Sequence, residues 1–294
     1  MTDITMDFVT DWQNEMIKEM EEEGLRFKKS LPKDSLIIKY FSYRRKRGLQ
    51  KPYNIFKSNE FNCPEEYQKG LSNLEEILKN GGDISPYLSK DVEKLKSDLM
   101  FNDWSVLHLH LGEKFENSNK YIKRTGPLLF LYFKGENVYL INIFQHQDWT
   151  KKEVLQIMYS NWPELIQPYI MKIDGFQGLH PEYTEDQHLE LRKAGITVML
   201  ELMDANGKKF PLIPTGMGIT ASGDSMNDVR HYQHQIKEIR SLEDMVRSNI
   251  DFVKQTMKSL NVNIPTSLNF KLVYKDGRFQ VQEANTQLFF DLKR

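Results

Sequence analysis

The segment WSVLHLHLGEKFENSNKYIKRTGPLLFLYFKGENVYLINIFQHQDW, residues 104–149, contains three apolar stretches separated by polar loops. The first stretch, residues 105–111, alternates leucines with Val106, His108 and His110. Side chains that alternate with a period of two leave a strand on opposite faces. This pattern therefore predicts a strand with a buried leucine face and a polar histidine face.

The two stretches that follow, residues 127–133 and 137–144, are apolar runs joined by a short loop that contains Gly135. Apolar runs of this length, bounded by glycine-containing loops, are typical of hairpins. We therefore predict that the whole segment folds as three antiparallel strands, with a helix over residues 149–159 after them.

The rest of the sequence predicts helices and further hairpins on both sides of this meander. The expected elements are an amphipathic helix from Phe8 to Met20, a strand over residues 35–43 that ends in a basic turn, helices over residues 64–81 and 85–100, hairpins around Asn206-Gly207 and Asp276-Gly277, and helical residues 225–259 with a break near Ser241.

The sequence is long enough for two units of ordinary domain size. With 294 residues, 39% hydrophobic and 28% charged, it can bury a core and shows no compositional sign of wholesale disorder. The pattern loosens over residues 174–186, where two glycines and a proline indicate a connection. We predict an α+β fold with two units. Residues 1–173 hold the antiparallel meander with flanking helices, and residues 174–294 hold hairpins and long helices.

The charge balance and the cysteine content limit the cellular compartments and the kinds of partner that fit this sequence. Lysine and arginine number 40 against 41 acidic residues, so the net charge gives no global attraction to nucleic acid or to an anionic membrane. A single cysteine, Cys63, excludes an intramolecular disulfide and is compatible with a reducing compartment. The sequence shows neither a signal-peptide pattern nor an apolar run of about 18 residues. We expect a cytoplasmic protein with no membrane partner; the sequence does not specify an oligomeric state.

The histidines of the meander are the first candidates for chemistry. His108 and His110 lie two residues apart on one predicted strand, so their side chains leave the same face with Cα atoms roughly 6 to 7 Å apart. His146 lies just past the third predicted strand and can approach them. Imidazoles arranged in this way can act as general acid and base near pH 7, can bind a divalent metal, or can be structural. The residue pattern leaves these three interpretations open.

Basic and amide side chains accompany the histidines, because Lys123 and Arg124 precede the second strand and Gln147 follows His146. Cleavage of RNA needs a base for the 2′-hydroxyl, an acid for the leaving oxygen and positive charge near the phosphorane. Histidine, lysine and arginine supply all three without a metal or another cofactor. The candidate catalytic residues are therefore His108, His110 and His146, and the candidate substrate contacts are Lys123, Arg124 and Gln147.

The order LHLHLG, GPLLFLYF and VYLINIF, followed by QHQDW and a helix, resembles the strand–strand–strand–helix core of RelE/HigB-type toxin endoribonucleases. The resemblance covers residues 104–155 and rests on the strand pattern. It implies an endoribonuclease of toxin or phage-defence type, with RNA as its substrate and a protein antitoxin as a partner. The arginine that those families carry within the central strand lies here just ahead of it, at Arg124.

Two other functional hypotheses compete with the ribonuclease. One is a non-catalytic module that binds a protein partner, in which the histidines only line the interface. The other is a metal-dependent hydrolase with a site formed by the three histidines. A weaker candidate is the loop TGMGITASGDSMND, residues 215–228, whose backbone amides could bind phosphate but whose hydroxyl and acidic residues are also explained as helix caps. His231 and His234 are expected to be exposed on a helix or to pack against the other unit, and Glu283 and Asn285 have no partner that the sequence identifies.

Overall fold

The computed structural model describes residues 3–117, 120–145, 152–275 and 278–290, and its fold is α+β, as the sequence predicts. The helices are α1 (Phe8–Glu22), α2 (Lys33–Arg47), α3 (Gln68–Asn80), α4 (Leu99–Trp104), α5 (Lys152–Asn161), α6 (Pro163–Ile166), α7 (Glu185–Lys193), α8 (Met226–Ser248) and α9 (Ile250–Ser259). The strands are β1 (Asp3–Thr5), β2 (Asn54–Lys57), β3 (Val106–Leu109), β4 (Leu128–Lys134), β5 (Asn137–Phe144), β6 (Leu200–Met203), β7 (Lys209–Leu212), β8 (Ser267–Lys275), β9 (Arg278–Glu283) and β10 (Leu288–Phe290). None of the helices in the described ranges is both long and apolar enough to cross a lipid bilayer.

Contacts divide the chain into two units. One comprises Met1–Ile37 with Arg230–Arg294, and the other comprises Ile38–Val229. The first unit holds a sheet of strand order β1-β8-β9-β10, in which β1 pairs with β8 in parallel. Because that pairing joins the two ends of the chain, no local pattern reveals it. Residues 174–186 lie inside the second unit. The division into units of residues 1–173 and 174–294 stays a prediction.

The predicted meander is present in the second unit as the antiparallel strands β3, β4 and β5. His108 pairs in register with Phe130, and a bulge follows Phe130 in β4. A fourth strand, β2, extends the sheet in parallel to β5, giving the order β2-β5-β4-β3. The sequence did not predict β2, because only four mostly exposed residues form it.

The histidine face of β3 is less exposed than the sequence predicts. Val106 and Leu107, on opposite faces, are both buried, and His110 is only 4% exposed. The turns between α3 and α4 lie against the end of this strand, where the backbone N–H of His110 donates to the carbonyl of Tyr87 at 2.8 Å. The alternation correctly predicted a strand, but it did not show that side chains on both faces are buried.

Helix α2 replaces the strand and basic turn predicted over residues 35–47. Leu36, Tyr40 and Tyr43 recur at steps of four and three and are all buried, which is helical spacing. The strand prediction was wrong because aromatic and β-branched residues favour strands only as a weak tendency, and a buried helical face outweighs it. The basic run 44–47 forms the last turn, where positive charge interacts favourably with the helix dipole.

Several other predicted elements are confirmed, and two are corrected. The helix predicted over residues 85–100 is wrong, because Ser85–Tyr87 and Lys90–Lys94 form only short 3₁₀ turns, Leu95 has a positive φ that ends the helical backbone, and α4 begins at Leu99. Of the helix predicted over residues 149–159, residues 149–151 lie outside the described residues and α5 forms the rest. Helix α1 buries Phe8, Trp12, Met16 and Met20, the apolar series that predicted it, and the hairpins β6-β7 and β8-β9 occur where glycine-containing turns indicated them. The break expected near Ser241 is absent, because α8 continues to Ser248 and the break falls at Asn249.

A buried ion pair joins α4 to α7. The Nε atom of Arg192 lies 2.9 Å from Oδ2 of Asp103, with both side chains almost completely inaccessible. Burial raises the pKa of Asp103 to about 6, even though the nearby Arg192 acts to lower it. The Asp103 carbonyl also accepts from the backbone of Gly216 at 2.7 Å, and the adjacent Trp104 carbonyl accepts from the Thr215 hydroxyl at 2.5 Å. Since α4 leads directly into β3, these contacts set where the histidine-bearing strand begins.

Replacing one member of this ion pair is expected to destabilise the protein more than the replacement of both members would suggest from their separate costs, because a single replacement leaves a buried charge unpaired. Asp103→Leu or Arg192→Met alone leaves one charge buried without its partner, so each should lower the free energy of unfolding by about 3–5 kcal/mol. The double variant should lose much less than the sum. Chemical denaturation measures all three, with Glu190→Gln, an exposed change on α7, as the control. A double variant that loses the full sum would contradict the coupling.

The pH dependence of stability gives a second test of Asp103. A carboxyl whose folded pKa exceeds its unfolded pKa binds more protons in the folded state, so its contribution to stability falls as pH rises between the two values. For Asp103 that window runs from 3.8 to about 6. The stability of the native protein relative to the Asp103→Leu/Arg192→Met variant should therefore fall over this range, and a rise would contradict the raised pKa.

Candidate functional site

A cavity of about 250 Å³ lies beside β3 in the second unit. It contains two of the three predicted histidines and one of the two predicted basic residues, together with charged groups that the sequence analysis did not select. Its charged and titratable lining residues are Lys46, Asp91, Lys96, Asp98, His108, His110 and Arg124.

His108 is the partly open histidine of this cavity, with a side chain that is 18% exposed. Its Nδ1 atom lies 3.7 Å from Oδ2 of Asp98 and has no hydrogen-bond partner among the described residues. The carboxylate of Asp98 is held in place because its Oδ1 caps α4, accepting from the backbone of Phe101 at 3.0 Å. The structure therefore holds a fixed carboxylate beside the imidazole ring of His108.

His110 has the contacts of a residue that fixes a loop. Its Nδ1 accepts from the backbone N–H of Thr125 at 3.3 Å, so the ring proton belongs on Nε2. The Thr125 hydroxyl donates to the Pro127 carbonyl at 2.7 Å and accepts from the backbone of Leu111 at 3.1 Å. These bonds join the end of β3 to the segment that carries Arg124. The acid–base role assigned to His110 stays a prediction beside this structural one.

The two predicted basic residues occupy different positions. Arg124 lines the cavity, where its Nη2 lies 3.5 Å from the hydroxyl oxygen of Ser89. Lys123 is exposed, as Arg124 is, but does not line this cavity, and its backbone N–H donates to the carbonyl of Lys114 at 2.7 Å. Of the two, Arg124 is therefore placed to contact an anion inside the cavity.

Lys46 is a buried lysine of this cavity that was not predicted from the sequence as a site residue. It lies in the last turn of α2, is 5% exposed, and donates from Nζ to the Lys96 carbonyl at 3.2 Å. Burial lowers the pKa of Lys46, while the carboxylate of Asp98 acts in the opposite direction. A helical interpretation of residues 35–47 would have placed Lys46 three residues after the buried Tyr43, on the same face.

Two predicted site residues, His146 and Gln147, lie outside the described residues, so the three-histidine arrangement stays a prediction. Within the described part of the chain, no group of three or more histidine, cysteine, aspartate or glutamate side chains is arranged to hold a metal ion. The nearest described strand end is that of β5, where Phe144 pairs in register with Leu128, a residue that lines the cavity.

The polar side chains of the loop before α8, residues 215–228, contact other side chains and the backbone of the protein. The carboxylate of Asp228 receives two hydrogen bonds from Arg45, at 3.0 and 2.9 Å. Ser225 caps α8 by accepting from the backbone of Asp228 at 3.4 Å, as predicted, and Asp224 pairs with Lys39. These contacts support the capping interpretation of the loop.

The remaining candidates also have local explanations. His231 and His234 are exposed on α8, as expected. Glu283 is completely buried and accepts from the backbone of Asn269 at 3.0 Å and from the backbone and hydroxyl of Thr286 at 2.8 and 2.7 Å. Burial acts to raise the pKa of Glu283, but these hydrogen bonds outweigh it and the pKa is lowered. Glu283 therefore ties the end of β9 to β8 as a carboxylate.

Comparisons with protein-family models, with curated proteins and with solved structures found no match to this chain. The resemblance of residues 104–155 to RelE/HigB-type endoribonucleases therefore stays a prediction.

The two cavity histidines should differ in their effect on stability. His110→Ala removes the acceptor of the Thr125 N–H from a buried position, so it should lower the free energy of unfolding by about 1–3 kcal/mol. His108→Ala, at a partly exposed ring without a hydrogen bond, should cost less than about 1 kcal/mol. Denaturant titration of both variants measures the difference, and equal losses would contradict the structural role of His110.

The loop that presents Arg124 is closed by a tight backbone approach at Gly112. A Cβ at Gly112 would lie 2.1 Å from the Lys123 carbonyl oxygen, whereas a Cβ at Gly126 has no atom within 4 Å. Gly112→Ala should therefore lower the free energy of unfolding by about 1–3 kcal/mol, the usual cost of overpacking. Gly126→Ala, in the same loop, is the matched control and should leave it nearly unchanged. Comparable losses in thermal or chemical unfolding would argue against the close approach.

Proposed function

We propose that the protein is a nucleic-acid-directed enzyme, an endoribonuclease of toxin or phage-defence type, whose active site is the cavity beside β3. One observation carries the proposal. A histidine with a carboxylate 3.7 Å from its ring nitrogen shares a cavity with a buried lysine and an arginine. Those are the groups that RNA cleavage by acid–base catalysis requires.

The proposed reaction assigns one step to each group. His108 removes the proton from the 2′-hydroxyl, and Asp98 stabilises the imidazolium that forms. The 2′-oxygen then attacks the phosphorus, Arg124 neutralises charge on the phosphorane, and the 5′-oxygen leaves. Lys46 donates a proton to that oxygen, because an ammonium whose pKa is lowered by burial is a stronger acid. The products are a 2′,3′-cyclic phosphate and a free 5′-hydroxyl.

The other predicted residues take supporting parts in this proposal. His110 is a positioning residue, since it holds the Thr125 amide one residue beyond Arg124. His146 and Gln147 remain predicted contributors after the end of β5. Lys123, with its exposed side chain, is expected to contact phosphate outside the cavity and to add less to catalysis than Arg124.

Cleavage of single-stranded RNA of mixed sequence tests the proposal. His108→Gln should reduce the rate by about 100-fold or more, the usual contribution of a general base. Asp98→Asn should reduce it less, because asparagine still caps α4 but carries no charge to stabilise the imidazolium. Arg124→Gln should weaken cleavage more than Lys123→Gln. The exposed His234→Gln is the control for loss of a histidine.

Four results would overturn the proposal. Cleavage that survives His108→Gln would place the chemistry elsewhere. Equal cleavage of DNA of the same sequence would exclude attack by the 2′-hydroxyl, and loss of activity on addition of EDTA would favour the metal-dependent hydrolase. Binding of RNA or of a protein without any cleavage would favour the non-catalytic module.

A further inference from the structure

The sheet of the first unit has one buried face and one open face. Side chains alternate between the two faces along a strand, and residues that pair in register lie on the same face. The buried face is formed by Phe270 and Leu272 of β8, Val281 and Glu283 of β9, and Phe290 of β10. The residues between them therefore point to the opposite side of these three strands, which we call the outer face.

A row of three side chains crosses the outer face. Lys271 of β8 pairs in register with Gln282 of β9, and Gln282 pairs with Phe289 of β10. Lys271 is exposed, Gln282 is partly exposed, and Phe289 is 52% exposed. Because neighbouring strands lie about 4.8 Å apart, the lysine and the aromatic ring leave the sheet about 10 Å from each other, on either side of the amide.

The amide of Gln282 is held in place by its neighbours. Its Nε2 donates to Oε1 of Gln287 at 2.9 Å, and Nε2 of Gln287 donates to the carbonyl of Ala284 at 2.6 Å. This arrangement uses one N–H of Gln282, and the side-chain nitrogen carries a second. The row therefore presents an exposed ring, an oriented amide and a cation.

The outer face is positively charged over β8, β9 and β10. Lys271 is exposed on it, and so is Arg278, which lies four residues before Gln282 on β9 and therefore shares its face. None of the described residues on the outer face of these three strands is acidic. Along the β1 side of the sheet, the carboxylate of Asp11 already accepts from the backbone of Leu272 at 2.9 Å. The outer face is therefore complementary to a polyanion.

We propose that the outer face binds single-stranded RNA, with an unpaired base stacked on Phe289 and phosphates beside Lys271 and Arg278. Exposed aromatic rings that stack bases, together with cations that meet the phosphates, are the features by which protein surfaces bind single strands. The choice of RNA rests on the proposed ribonuclease function. The outer face belongs to the first unit and the cavity beside β3 to the second, so the two share no residue.

Fluorescence anisotropy of the full chain with a labelled single-stranded RNA of mixed sequence tests the proposal. A strand of about 12 nucleotides lies in the usual range of single-strand sites. The RNA carries 2′-O-methyl groups, which remove the attacking hydroxyl, so binding is measured without cleavage. A protein that binds this strand but does not cleave unmodified RNA would contradict the ribonuclease and leave the outer face supported. Absence of binding would overturn the proposal for the outer face and favour a protein as its occupant.

Substitutions of the aromatic ring locate the binding. Phe289→Leu keeps an apolar side chain but removes the ring, and should weaken binding at least about 5-fold, the lower end of the effect of one stacked base. Phe289→Tyr retains a ring and should bind as the native chain does. Phe252→Leu is the matched control, because Phe252 is 54% exposed on α9, away from the strands. Unchanged affinity in Phe289→Leu, or an equal loss in Phe252→Leu, would refute the site.

The salt dependence of binding tests the phosphate contact separately. Lys271→Gln should reduce the slope of log affinity against log salt by about 0.7, the value of one phosphate contact on a single strand. Lys258→Gln, an exposed change on α9, is the control and should leave the slope unchanged. If circular dichroism shows that Phe289→Leu does not fold, Lys271→Gln decides, and an unchanged slope in that variant would overturn the proposal.

Discussion

The buried Asp103–Arg192 ion pair is the constraint on which the second unit depends. It fixes the end of α4, and α4 does two things for the candidate site. Its first turn holds the carboxylate of Asp98, and its last residue leads into the strand that carries His108. Because a buried charge cannot be left unpaired without a large cost, the position of α4 against α7 is set by chemistry as well as by packing. The precision with which Asp98 faces His108 follows from that constraint.

The parts of the fold that the sequence predicts are those whose periodicity reports directly on burial. Strand β3 follows from alternation, β4 and β5 follow from apolar runs bounded by turns, and α1 follows from the helical spacing of its apolar side chains. Helix α2 was not predicted, because its residue types favour strands although the spacing of its buried side chains is helical. Strand β2 and the parallel pair β1-β8 depend on partners far along the chain, and no local pattern contains that information.

The residues of the candidate site also divide into those that the sequence predicts and those that it does not. His108, His110 and Arg124 were predicted because all three lie in the one segment of sequence, residues 104–149, that forms the meander. Asp98 and Lys46 were missed, since each reaches the cavity only through the packing of a helix. The sequence also could not distinguish the roles of the two histidines. Only the structure shows that the Thr125 amide, in the loop before β4, donates a hydrogen bond to His110. The Nδ1 atom of His108 has no such bond among the residues that the structure describes.

The contact of the turn at Tyr87 with the end of β3 has a consequence for assembly. In the order β2-β5-β4-β3, the strand of His108 is an edge strand, and edge strands recruit further strands from other molecules. The His110 N–H, one residue past β3, is already bonded to Tyr87. The two edge strands, β3 and β2, have four residues each, so neither offers a long ladder to a foreign strand. Short edge strands are one way in which natural sheets limit edge-to-edge pairing.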